Sequence, residues 1–175
     1  MDDAAAAMAT FASKVIIIFT RSVAIATERG RVNRFLWVQP DGVVEYYDKR
    51  HLFSFGGEDQ RYVAGSARKI IHYRGWRICP QICYDLRFPA WCRNHDDYDL
   101  LIFVANWPEP RTPAWTALLR ARAIENQAYV VGVNRSGEDP RGLHYAGGSA
   151  VYDPLGETLL DLGKGQGSGA VIVSL

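Results

Sequence analysis

The sequence predicts a layered α/β fold. Three observations predict it: short apolar runs rich in β-branched residues, turn dipeptides between consecutive runs, and one well-marked helix between two such runs. The 175 residues fit a single domain, 1–175, and are enough to bury a core.

The elements follow in order. Asp2 to Ala12 is Ala-rich and reads as a short helix. Lys14 to Ala26 reads as strand: Val15-Ile16-Ile17-Ile18-Phe19 is too short and too β-branched for a helix, and Ser22-Val23-Ala24-Ile25 continues it. Val32 to Val38 and Val43 to Tyr47 flank Gln39-Pro40-Asp41-Gly42. Proline presets φ and glycine accepts positive φ, so this is a hairpin. Lys69 to Tyr73, Arg74-Gly75 and Trp76 to Cys83 form a second one. Asp99 to Trp107 (DLLIFVANW) is a buried strand. A helix over Pro113 to Gln127 follows, with Pro113 in its first turn and Thr112 as N-cap. Tyr129 to Val133 returns to strand. Gly148 to Asp153, the turn at Gly156-Glu157 and Ala170 to Ser174 read as a closing β meander.

Composition narrows the classes. Apolar residues make up 48% and charged residues 22%, as in a folded globular protein rather than a disordered chain. The net charge of +1, with no Lys/Arg tract, gives no electrostatic case for nucleic acid or an anionic membrane surface. No apolar stretch is long enough to span a membrane, and the acidic, Ala-rich start lacks the basic region of a signal peptide. The expected compartment is the cytoplasm. Three cysteines, Cys79, Cys83 and Cys92, make no disulfide framework.

Most chemistry is concentrated at Ile78-Cys79-Pro80-Gln81-Ile82-Cys83-Tyr84-Asp85-Leu86-Arg87-Phe88-Pro89. A strand runs into a sharp turn there, and Pro89 suits the first turn of a new helix. A cysteine at such a turn can expose its sulfur and feel the positive end of a helix dipole, which favours the thiolate. The neighbouring backbone N–H groups can face a developing oxyanion. The bland alternative is a packing cysteine, the expected role of Cys79 and Cys92. A zinc site of Cys79, Cys83, Cys92 and His95 fits poorly. Four residues of strand separate Cys79 from Cys83 by about 13 Å, too far for one tetrahedral ion. No metal and no cofactor are expected.

A second candidate group is Tyr47-Asp48-Lys49-Arg50-His51-Leu52-Phe53, at the end of a strand, followed by Glu58 in a Gly-rich loop. Taken alone, Lys49 would be a solvated charge and Glu58 an exposed loop acid. A Cys–His hydrolase is a distant alternative, because His51, His72, His95 and His144 all lie in contexts that do not suggest that role.

The lysine stretch and the stretch Cys83-Tyr84-Asp85-Leu86-Arg87-Phe88-Pro89 both resemble nitrilase (carbon–nitrogen hydrolase) superfamily motifs. Ala105-Asn106-Trp107-Pro108 and Ala121-Arg122-Ala123-Ile124-Glu125-Asn126-Gln127 do too, and the four blocks stand in the family's order. The resemblance covers about Ser22 to the C-terminus and looks closest to the bacterial ω-amidase branch. It implies an αββα sandwich that pairs with a second subunit, so a homodimer is the expected assembly. The implied activity is hydrolysis of a small carboxamide through a Cys83 thioester. The ω-amide of a 2-oxo acid such as 2-oxoglutaramate is the implied substrate; a simple aliphatic amide or nitrile is the alternative. By the same resemblance Lys49 stabilises the oxyanion with the backbone N–H of Tyr84, Glu58 holds the lysine, and Asn106 and Trp107 line the pocket. Arg87 would favour an acidic substrate or serve a structural role.

Three departures accompany the resemblance. The family places a proton-transfer glutamate upstream of the strand equivalent to Lys14–Ala26. The residues before that strand hold Asp2 and Asp3 but no glutamate, and the first is Glu28. Thr20-Arg21 stands where a small Gly-containing link is expected. The N-terminal strand and helix and the C-terminal extension of the sandwich are expected to be missing. Without the glutamate, a non-catalytic binding or oligomerising module is the rival expectation.

Overall fold

The computed structural model describes residues 5–8, 10 and 18–175. The chain divides into two compact units, 1–69 and 70–175. The expected strand residues Val15, Ile16 and Ile17 lie outside the described residues.

The first unit carries a three-stranded antiparallel sheet in the order β1 (Phe19–Thr27), β2 (Gly30–Val38) and β3 (Val44–Asp48). β1 and β2 pair along their whole length, from Phe19 opposite Val38 to Thr27 opposite Gly30. The Glu28-Arg29 turn between them was not foreseen, because neither residue is a turn former; Gly30, at φ +117°, absorbs the reversal. The Pro-Asp-Gly hairpin is present. Gly42 takes φ +86°, its N–H donates to the Gln39 carbonyl, and the Asp41 carboxylate accepts the Val43 N–H. Residues 5–8 and 10 are helical, and Ala5 and Met8 pack with Leu36 and Val38. Thr20 and Arg21 are paired strand residues opposite Trp37 and Leu36.

The second unit is built on a six-stranded sheet. Its elements in chain order are β4 (Ile71–Tyr73), β5 (Trp76–Ile82), the helical turn α1 (Pro89–Cys92), β6 (Leu100–Ala105), α2 (Thr112–Asn126), β7 (Tyr129–Asn134), β8 (Ser136–Glu138), β9 (His144–Ala146), β10 (Ala150–Tyr152) and β11 (Thr158–Asp161). The sheet order is β11-β10-β7-β6-β5-β4. Only β5-β6 and β6-β7 pair in parallel. A parallel pair needs a crossover, and α2 supplies the one between β6 and β7. The β4–β5 hairpin turns at Arg74 and Gly75, both at positive φ, as a two-residue turn requires.

The core of this unit gathers residues from α2 (Trp115, Leu119, Ala123) with Cys79, Leu101, Phe103 and Val130 from the central strands. Gly132 on β7 makes room for α2. A β-carbon there would meet the Leu119 side chain and lie 2.9 Å from the Trp115 ring.

Two expectations need correction. Thr112 is not the N-cap of α2 but its first residue, and its hydroxyl donates to the Glu109 carbonyl of the preceding 3-10 turn. Residues 170–174 form no strand; the meander closes at β11. They follow a run containing Gly163, Gly165, Gly167 and Gly169, and Val171 and Ile172 stay exposed, so burial offsets little of the ordering entropy. The small β8–β9 hairpin was unforeseen, because its strands bury little apolar surface and carry no alternation. Among the described residues no helix is long and apolar enough to cross a membrane.

Candidate active site

The lysine group belongs to the first unit. Lys49 immediately follows β3 and is only 3% exposed, so it is no solvated surface charge. Its backbone is fixed on both sides: its N–H donates to the Asn33 carbonyl and its carbonyl accepts the Gly65 N–H. Gly65 is required there, since a β-carbon would run into the Asp48 carbonyl. Arg34 grips Asp48 with two parallel bonds of 2.6 and 2.9 Å, which anchors the last residue of β3 to β2.

Glu58 is the partner of Lys49. Its Oε2 lies 2.6 Å from Lys49 Nζ and also accepts the Phe53 N–H at 2.7 Å; its Oε1 accepts Asn33 Nδ2 at 3.0 Å. The loop that returns Glu58 to the lysine turns through a 3-10 segment, Ser54–Gly56, and Gly57 at φ +69°. Burial by itself pushes the Glu58 carboxyl up. The Lys49 charge and the hydrogen bonds from Lys49, Asn33 and Phe53 outweigh it, so the carboxyl sits below its ordinary range and is ionised at neutral pH. A loop acid beside a Gly-Gly pair is thus a half-buried clamp on a buried lysine, held by three donors.

The cysteine group belongs to the second unit. β5 ends at Ile82, and Cys83 opens a five-residue 3-10 turn, Cys83–Arg87. Cys83 takes φ +48°, a left-handed conformation that L side chains rarely adopt. Asp85 stabilises the reversal: its carboxylate accepts the Ile82 N–H at 3.1 Å and its carbonyl accepts the Phe88 N–H. The helix expected after the turn is short, α1 being a single turn with Pro89 at its start. A long-helix dipole is therefore not what acts on Cys83; the N–H groups opening the 3-10 turn, Tyr84 among them, are the local donors.

The Cys83 sulfur lies 3.9 Å from the Asn106 carbonyl oxygen, so the end of β6 and the cysteine turn meet. Asn106 is exposed, while Trp107 is buried against Trp115, with ring centroids 5.5 Å apart, and its indole N–H donates to the Arg111 carbonyl. Arg87 is exposed, with its guanidinium 5.2 Å from the centre of the Trp107 ring. Tyr84 packs its ring edge-on to Phe88. One organiser went unnoticed in the sequence. Asn134, at the end of β7, accepts the Trp107 N–H at 2.7 Å and donates to the Trp107 and Gly147 carbonyls. Its only signal was an asparagine closing an apolar strand.

Cys79 and Cys92 are fully buried in the core. Burial pushes the Cys92 thiol up to about 12, and its Sγ donates to the Asp85 carbonyl. Among the described residues no group of three or more His, Cys, Asp or Glu side chains gathers as a metal site would.

A family model described as carbon-nitrogen hydrolase matches residues 4–174, and the chain belongs to that family. It is 59% identical over 145 residues to a protein of Yersinia enterocolitica named omega-amidase YafV, covering 83% of this chain and 57% of that relative. It is 36% identical over 153 residues to a 2-oxoglutaramate amidase of Bacillus subtilis (strain 168), covering 86% of this chain and 59% of the relative. Among solved structures, a CN-hydrolase superfamily protein from Xanthomonas campestris, described with an arsenic adduct in its active site, matches with a TM-score of 0.91 and 50% identity. That match covers 94% of this chain and 65% of the other. The mixed α/β fold is thus the one seen in that superfamily. The chain spans roughly three fifths of the length of the curated relatives it matches.

Proposed function

We propose that this chain carries the nucleophile and the oxyanion lysine of an amidohydrolase acting on the non-peptide C–N bond of a small carboxamide. The observation that supports it best is Cys83 itself, opening a strained turn after a parallel strand, in a chain 59% identical to a protein named omega-amidase. In the proposed reaction the Cys83 sulfur adds to the amide carbon, and the carbonyl oxygen gains the negative charge. The Tyr84 N–H and Lys49 stabilise that oxyanion, with Glu58 holding Lys49 in place. Collapse breaks the C–N bond and releases ammonia, leaving a Cys83 thioester. Water then adds to the thioester, the C–S bond breaks, the carboxylic acid leaves and the Cys83 thiol is regenerated. The thiol proton and the ammonia proton need a carboxylate to pass through, and in the family that is the upstream glutamate.

The proposed substrate is the ω-amide of a 2-oxo acid, of the 2-oxoglutaramate type. An exposed guanidinium at Arg87, 5.2 Å from the centre of the Trp107 ring at the end of the cysteine turn, is suited to the distal carboxylate. Asn106 supplies a polar group beside the sulfur. The proposed assembly is a homodimer in the cytoplasm.

The test is ammonia release from 2-oxoglutaramate by wild type, Cys83→Ala and Arg87→Met. Wild-type release that disappears in Cys83→Ala supports the reading, and release that persists there overturns it. Arg87→Met should raise KM for 2-oxoglutaramate more than for a simple aliphatic amide. A wild-type chain that releases no ammonia, while Cys83 alkylates no faster than a free thiol, points to the non-catalytic binding module.

A further inference from the structure

Arg122 belongs to the Ala121–Gln127 block, and none of the steps above uses it. It lies on α2, is 3% exposed, and faces the core below the cysteine turn. Its Nη2 donates to the Leu86 carbonyl at 2.6 Å, and Leu86 is itself fully buried inside the Cys83–Arg87 turn. Its Nη1 reaches the Glu125 carboxylate at 2.7 Å, one turn along the same helix. Its Nε is buried without a hydrogen-bond partner.

That arrangement is costly for stability alone. A guanidinium is taken out of water, and one of its donors is left unsatisfied. An apolar side chain would avoid both penalties but would leave the buried Leu86 carbonyl without this donor. What only the arginine supplies is a charge-assisted bond from a long, regular helix to the backbone of a short, strained turn. The turn needs such a restraint. Cys83 is held at φ +48°, and conformations of that kind persist only where the surroundings over-determine them. Two buried groups do so here. Asp85 ties the turn to its own start through the Ile82 N–H. Arg122 ties its middle to α2.

We propose that Arg122 is a positioning residue for Cys83: by anchoring the Leu86 carbonyl to α2 it holds the cysteine turn in the strained conformation that presents the sulfur. The proposal rests on Cys83 being the nucleophile, and it assigns Arg122 no contact with substrate.

Two readouts on the full chain test it: amide hydrogen exchange by peptide, and the rate of Cys83 alkylation by iodoacetamide, measured in wild type, Arg122→Met and Arg122→Gln. In Arg122→Met, peptides covering residues 82–88 should exchange faster while those of β5 and β6 stay protected. Cys83 alkylation should change about tenfold or more at fixed pH, because small displacements of a reacting group have large rate effects. Arg122→Gln keeps an N–H donor and should restore part of the turn's protection. Should Arg122→Met fail to fold, the Gln variant carries the same comparison against wild type. Exchange that accelerates equally in the turn and in β5–β6, or not at all, overturns the proposal, since it would mean only global stability or no role. The reading of Cys83 fails separately, if the wild-type sulfur reacts no faster than a free thiol while the exchange contrast remains.

Discussion

Lys49 and Glu58 show how far a single residue's environment departs from its neighbours in sequence. An ion pair with one member 3% exposed cannot be treated as a surface salt bridge. Replacing Glu58 by Gln leaves the Lys49 charge buried without its counter-ion and should cost about 3 kcal/mol in urea denaturation. The pH dependence follows from the depressed Glu58 carboxyl. Its contribution is fully present above the ordinary value of 4.5 and is lost as pH falls through the lower folded value. Glu58→Gln should therefore flatten the acid limb of the stability profile, and a variant with the wild-type acid limb would contradict the clamp. The cysteines separate just as sharply. Iodoacetamide at neutral pH should label Cys83 in the native chain and spare Cys79 and Cys92 until the chain unfolds, as peptide mass mapping would show. The three thiols are alike in the sequence, and burial tells them apart.

At the scale of elements, α2 is the best-marked piece of the chain and also the best test of packing. Its C-terminal cap is Gln127, in a left-handed conformation at φ +48°, with its N–H shared between the Ala123 and Ile124 carbonyls. Glycine adopts that conformation without steric cost, so Gln127→Gly should raise stability by about 0.5 kcal/mol despite the greater freedom of its unfolded state. On the opposing strand, Gly132→Ala should destabilise by about 1 to 3 kcal/mol, because the new methyl meets Leu119 and the Trp115 ring. Thermal melts measure both, and a neutral Gly132→Ala would mean that α2 sits farther from β7. The two hairpins with Pro-Asp-Gly and Arg-Gly turns were legible because turn chemistry is local. Thr112 was misplaced by one residue because a preceding 3-10 turn uses its hydroxyl, and the β8–β9 hairpin was missed for want of apolar alternation.

At the scale of the molecule, each compact unit carries part of the candidate chemistry, the lysine clamp in 1–69 and the cysteine turn in 70–175. The core of the second unit is centred on the parallel strands β5, β6 and β7. Amides of those strands should exchange last in native-state hydrogen exchange, and slowest exchange in β1–β3 would contradict that ordering. The sequence by itself determined the family, the order of strands and α2, and the identity of Cys83, Lys49 and Glu58 as candidates. Periodicity, turn residues and motif blocks are properties of neighbours along the chain. Only the tertiary structure decided which donors hold the loop acid, which cysteine is held in strain, and that Asn134 and Arg122 support the cysteine turn and the Trp107 segment beside it. Those roles depend on burial and on hydrogen bonds that join residues far apart in sequence, from Asn33 to Glu58 and from Leu86 to Arg122.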